Sequence, residues 1–201
     1  TLPQLTQALE ETLAQMAHDG ETPDVITFAG NGEPTASPIF PEAIAVARQL
    51  RDRWCPSARI AVLSNGSHAD RPRVHEALMD VEDNILKLDT VDAEYIQALD
   101  RPVGAYDVSH QVETFASFGG RVIVQTIFLA GTANGRDMGN TGERYVGPWL
   151  QALERIHPRG VTVYTIARDT PEQGLRKASP EVLDGIGARV RALGIPCSVS
   201  Y

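Results

Sequence analysis

Six runs dense in Val, Ile and Leu recur along this chain at roughly even spacing, and they limit the fold more than any other feature. They read as strands over 24–29, 58–64, 84–89, 121–129, 161–167 and 196–201. Each is continuously apolar rather than alternating, the pattern of strands covered on both faces, as in parallel sheets and barrels. Helical periodicity fills the gaps. Leu5, Leu9, Leu13 and Met16 form one stripe and Ile44, Ala47, Leu50 and Trp54 a second. Val182, Ile186, Val190 and Leu193 form a third, opened by Ser179-Pro180-Glu181. Strand, helix, strand repeated in this way predicts an α/β fold with right-handed crossovers, either a doubly wound sheet or a barrel of β/α units. In both, ligands meet the chain at the C-terminal ends of the strands.

With 201 residues, 42% hydrophobic and 22% charged, the chain can bury a sizeable core, and a single domain over 1–201 is expected. A net charge of −8 disfavours a surface built to neutralise phosphates, so non-specific DNA binding is not expected. No apolar run approaches the ~20 residues that span a bilayer and no charged-then-apolar leader precedes Leu2, which predicts a cytoplasmic protein without a membrane partner. Cys55 and Cys197 are the two cysteines, too few for a disulfide framework or a CxxC metal pattern. The chain starts at Thr1 rather than Met, so it reads as a piece of something longer, a trimmed form or a processed product. The longest expected loop covers 130–143, with Gly131, Gly135, Gly139 and Gly142, and reads equally as a binding lid or a mobile connection.

The strand ends carry the polar residues. They read Gly30-Asn31-Gly32-Glu33-Pro34, Ser64-Asn65-Gly66, Lys87-Leu88-Asp89, Gln125 within Val124-Gln125-Thr126, and 165–169. At the first, glycine permits positive φ and close approach to a ligand, Glu33 can accept from an ammonium group, and Pro34 stiffens the exit. Backbone NH groups, a carboxylate, hydroxyls and amides around one mouth suit a ligand with an amine, a carboxylate and a ribose. Taken singly, Asn-Gly is an ordinary turn and Lys-Leu-Asp a solvated strand end.

These motifs, with Asp100-Arg101-Pro102 and Tyr164-Thr165-Ile166-Ala167-Arg168 in the same order, resemble the radical S-adenosylmethionine enzymes, nearest the branch related to wyosine-synthesis tRNA enzymes. The resemblance runs along nearly the whole chain. It implies a partial, TIM-like barrel of about six β/α units lacking the first strand and the cluster loop. It implies S-adenosylmethionine as cofactor, with Gly30, Asn31, Gly32 and Glu33 at the methionine amine and Ser64 and Asn65 toward ribose or carboxylate. Lys87 and Asp89 match the next strand's polar pair, and Gln125, Thr165 and Arg168 fall toward adenine or substrate. It further implies a four-iron four-sulfur cluster, an electron donor, and reductive cleavage of the cofactor to a 5′-deoxyadenosyl radical acting on an RNA, a peptide or a small molecule. The family's CxxxCxxC motif is absent here, and Cys55 and Cys197 cannot replace it. The chain alone is therefore expected to be inactive, with the cluster segment lying upstream.

Two other functions compete. One is a cluster-less nucleotide-binding sensor or interaction domain. The other is a metal-assisted barrel hydrolase or lyase using Glu33 and Asp89 as an acid-base pair. His18, His75, His110 and His157 read as helix-associated, solvated or capping imidazoles, while His68 follows a strand end closely enough to face the mouth. Asp137, Asn140 and Glu143 form a candidate cation set, with an N-cap role for Asn140 or Thr141 as the simpler use. Arg101 and Arg168 are candidate anion clamps or ion-pair partners, and Trp54, Trp149, Phe115 and Phe118 are expected core.

Overall fold

A computed structural model describes residues 1–30, 32–102, 106–167 and 174–201. Among the described residues six strands make a mostly parallel sheet and seven helices accompany them, so the α/β class expected from the alternating pattern holds. Contacts divide the chain into two compact units, Thr1–Ile85 and Leu86–Tyr201.

The first unit begins with helix α1 (Leu2–His18), followed by strand β1 (Val25–Phe28), a single 3-10 turn (Pro34–Ala36) and helix α2 (Phe40–Trp54). Strand β2 (Arg59–Ser64), helix α3 (Pro72–Met79) and the start of β3 (Asp83–Lys87) complete it. β1 and β2 pair in parallel, Val25 opposite Arg59 through Phe28 opposite Val62. The expected stripes supply the core: Leu13, Leu50, Cys55 and Ala58 are buried together, with Leu9, Ile26, Val46 and Trp54 packed on them. Arg51, nearly buried on α2, donates to the Ala58 carbonyl and pairs with Glu82, whose other carboxylate oxygen accepts from the Ile60 amide. That chain of charge-assisted bonds satisfies a guanidinium that burial would otherwise penalise.

In the second unit, α4 (Ala93–Leu99) and α5 (Val108–Ala116) are each opened by an aspartate, Asp92 and Asp107, whose carboxylates accept first-turn amides. Strands β4 (Val122–Ile127), β7 (Gly160–Tyr164) and β9 (Cys197–Ser200) run parallel, with Gln125 opposite Thr162 and Val163 opposite Val199. Helices α6 (Glu143–Ile156) and α7 (Pro180–Ala192) complete this unit, α7 capped by Ser179 as its Ser-Pro-Glu start predicts. Trp149, Phe115 and Phe118 are core as expected, whereas Trp54 is only half-buried.

The 130–143 stretch is not the open loop that its glycines predict. It holds β5 (Leu129–Ala133) and β6 (Arg136–Asp137), which with β8 (Leu175–Lys177) make a small antiparallel sheet. The fourth apolar run accordingly splits, ending β4 at Ile127 and starting β5 at Leu129. Asn140, fully buried, makes that break: its side chain accepts from the Leu129 amide at 2.8 Å and donates to the Ile127 carbonyl at 2.8 Å. It is therefore not an N-cap, and Gly142 takes that position on α6.

Candidate functional site

At the β1 end, Glu33 caps the 3-10 turn by accepting the Thr35 amide at 2.9 Å and the Thr35 hydroxyl at 2.5 Å on Oε1. Ser64, the last residue of β2, donates to the same oxygen at 2.7 Å, and the Asn65 amide donates to Oε2 at 2.8 Å. Ser64 Oγ itself accepts from the Gly66 amide, in a turn where Gly66 takes φ 75° and the Asn65 side chain accepts from Ser67. Three of the sequence-predicted residues, Glu33, Ser64 and Asn65, are thus brought into one hydrogen-bonded group. Among the described residues Oε1 is saturated by three donors, whereas Oε2 receives one and retains acceptor capacity.

A cavity of about 250 Å³ adjoins this group, lined by Phe28, Ala29, Gly30, Gly32, Glu33 and Pro34. Gly30 and Gly32 leave it open: a Cβ at Gly32 would meet no protein atom within 4 Å, and one at Gly30 nothing nearer than 3.8 Å. Their missing side chains leave open space beside a carboxylate. Asn31 lies outside the described residues.

In the second unit the Lys87-Leu88-Asp89 segment forms a separate group, and it is not a solvated strand end. The Asp89 side chain is 0% exposed and stands 2.6 Å from the Lys87 ammonium, while its Oδ1 accepts the Ile127 amide at 2.9 Å. Leu88 between them is pinned on both sides: its amide donates to the Gln125 carbonyl, and its own carbonyl accepts from Thr126 Oγ1 and the Trp149 indole. Asp100, the C-cap of α4, accepts from Lys87 at 2.9 Å.

Burial opposes the Lys87 charge, but Asp89 and Asp100 outweigh it and raise its pKa above the ordinary lysine value. Burial pushes the Asp89 carboxyl up to about 7, against the pull of Lys87 and with the help of Asp100. Tyr95, Tyr106 and Tyr164 are all raised by burial and by these same acids, Tyr164 to about 12. Tyr95 is buried with its hydroxyl donating to the Met138 carbonyl, and Tyr106 and Tyr164 are half-buried. Asp100 stands in the Asp-Arg-Pro motif with no role assigned from the sequence, and Tyr95 and Tyr106 carry no motif. The available signal was the helix stop at Asp-Arg-Pro.

Gln125 sits on β4 opposite Thr162. Thr165 is buried at 2% exposure, its hydroxyl accepting from the Ala178 amide at 2.9 Å, which ties the β7 end to the start of α7. Arg168 and Asp169 lie outside the described residues. Arg101 follows Asp100 with φ 47°.

No three His, Cys, Asp or Glu side chains gather as a metal group among the described residues. The candidate cation set is dispersed into other bonds: Asp137 accepts the Gly139 amide, Asn140 makes the strand break, and Glu143 pairs with Arg189. Cys55 and Cys197 are free thiols in different units, each pushed up by burial and so held away from the thiolate that a cluster requires. They do not fit a four-iron four-sulfur cluster. No described helix is long and apolar enough to cross a membrane.

No protein-family model matches the chain. A UPF0026 protein of Helicobacter pylori strain J99 is 25% identical over 182 residues, covering 88% of this chain and 55% of that protein, so the chain spans about half of this relative's length. Among solved structures, Streptococcus suis SuiB bound to S-adenosylmethionine matches at a TM-score of 0.67 with 11% identity, over 96% of this chain and 43% of SuiB. A radical SAM methyltransferase from Sphaerobacter thermophilus matches at 0.64 with 17% identity, over 93% of this chain and 53% of its own. At these identities the likeness carries the fold: the chain has the α/β fold of radical S-adenosylmethionine enzymes.

Proposed function

We propose that this chain is the cofactor-cradling part of a radical S-adenosylmethionine enzyme, whose cluster ligands come from outside these 201 residues. The observation that carries the reading is the β1-end group. Glu33 is held rigid by Ser64, Asn65 and Thr35, keeps an acceptor free on Oε2, and borders a cavity that two glycines leave open. A carboxylate fixed on one edge and free on the other is preorganised to take a ligand ammonium group without reordering. The methionine amine of S-adenosylmethionine has that chemistry, and SuiB, which shares the fold, was solved with that ligand bound.

In this reading Gly30, Asn31 and Gly32 approach the amine end, Ser64 and Asn65 the ribose or carboxylate, and Lys87, Asp89, Gln125, Thr165 and Arg168 serve the remaining cofactor or the substrate. Reductive cleavage belongs to the whole protein with its cluster and electron donor, on a substrate that is an RNA, a peptide or a small molecule. Location in the cytoplasm is part of the same proposal.

Calorimetric titration with S-adenosylmethionine tests it. The chain is expected to bind, and Glu33→Gln to weaken binding about ten- to a hundredfold, the worth of a charge-assisted hydrogen bond of about 1.5–3 kcal/mol. Absence of binding at millimolar ligand, or equal affinity in the variant, would overturn the reading.

A further inference from the structure

The Lys87 group holds one cation and two carboxylates, and the two acids are held very differently. Asp89 is wholly buried and locked by the Ile127 amide, so its place beside the Lys87 ammonium is fixed. Asp100 is 27% exposed in its side chain, and Lys87 is its one side-chain partner among the described residues. It caps the C-terminus of a seven-residue helix, where a negative charge meets the negative end of the helix dipole. The next residue, Arg101, is a non-glycine at φ 47°, a left-handed conformation that costs energy to hold. Lys87 is the group that favours a carboxylate there. Tyr106 and Tyr164, both half-buried, lie within electrostatic reach of the same acids.

We propose that Lys87, backed by Asp89, is a receptor for a ligand carboxylate and that Asp100 occupies the ligand's place until it arrives. The exchange is one carboxylate for another, so the charge around Lys87 is unchanged and Asp89 stays put. The proposal deepens the reading of the strand ends as a ligand site. The carboxylate comes from the cofactor or from the substrate, and Asp100 is a positioning residue that competes with it.

The test uses acetate, followed through the Leu88 and Ile127 amide resonances of the full chain. Asp100→Asn removes the tethered competitor and is expected to tighten acetate binding by about tenfold or more, since an intramolecular group acts at an effective concentration of about millimolar upward. Asp100→Ser serves as a second variant should the amide find a new partner. Lys87→Met is expected to abolish the response in both backgrounds. Unchanged acetate affinity in both Asp100 variants, or binding that survives Lys87→Met, overturns the proposal. Tightening for inorganic phosphate but not for acetate also overturns it.

S-adenosylmethionine and its decarboxylated analogue then separate the sources. Selective tightening of the intact cofactor by Asp100→Asn assigns the carboxylate to the cofactor, and tightening of acetate alone assigns it to the substrate. The acetate arm needs neither cofactor nor Glu33, so its failure is distinguishable from failure of the functional reading.

Discussion

Asp89 is a residue at which burial and ion pairing pull against each other. Its carboxyl has no exposure, one amide donor and a lysine 2.6 Å away, yet burial still dominates and raises it toward neutrality. The sign of the consequence follows. A carboxyl raised in the folded state adds stability that is complete below its unfolded value near 3.8 and is lost as pH rises through about 7. Wild type measured against Asp89→Asn is therefore expected to lose relative stability between about pH 4 and pH 8, read from urea midpoints at a series of pH values. A flat difference would mean that Asp89 stays ionised throughout. Glu82 has the opposite sign: burial raises it, but the Ile60 amide and Arg51 bring it below the ordinary value. Its contribution is present at neutral pH and lost in acid. The Glu33, Ser64 and Asn65 grouping was legible because each residue stands at or just past a strand end, a position that apolar runs mark well. Asp100 was not, because a helix C-cap contacting a lysine thirteen residues earlier leaves no periodic trace.

The small antiparallel sheet is the element the sequence hid. β5 is read from composition as a glycine-rich connection, and its strand character comes from a buried asparagine and two close backbone approaches. Asn140→Ala removes bonds to the Ile127 carbonyl and the Leu129 amide and leaves both groups short of a partner. The expected cost is about 2–4 kcal/mol, measured by denaturant unfolding. Gly131 and Gly174 form the second device. A Cβ on Gly131, at φ 100°, would lie 2.2 Å from the Gly174 carbonyl oxygen, and one on Gly174 would lie 2.0 Å from that of Thr132. Either glycine changed to alanine forces β5 and β8 apart, with an expected loss of about 2 kcal/mol or more by the same measurement. Helices were read more faithfully in place than in facing. In α7 the residues that bury are Leu183, Ile186, Gly187 and Val190, while Val182 is 40% exposed and Leu193 is 36% exposed just past the end. A stripe four residues apart fixes a helix, but one residue of rotation decides which flank is wet.

For the whole molecule, alternation of apolar runs with helical stripes was enough to give the α/β class, since parallel strands covered on both faces leave few other architectures. Charge is the other property that belongs to this scale. A net −8 leaves no general attraction for polyanions, so the chain is expected to pass through immobilised heparin at about 0.15 M salt. Retention there would point to a basic face strong enough to overcome the overall balance, and would favour RNA among the three substrate classes.

Trp149 gives the Lys87 group a built-in optical probe. Its indole is 1% exposed and bonds to the carbonyl of Leu88, the residue between the lysine and its buried acid. The second tryptophan, Trp54, stacks under Arg53 in the other unit and can be silenced by Trp54→Phe. What remains is a single emitter wired to the backbone of the charged segment, so the exchange proposed at Lys87 can be timed by stopped-flow fluorescence without attaching a dye.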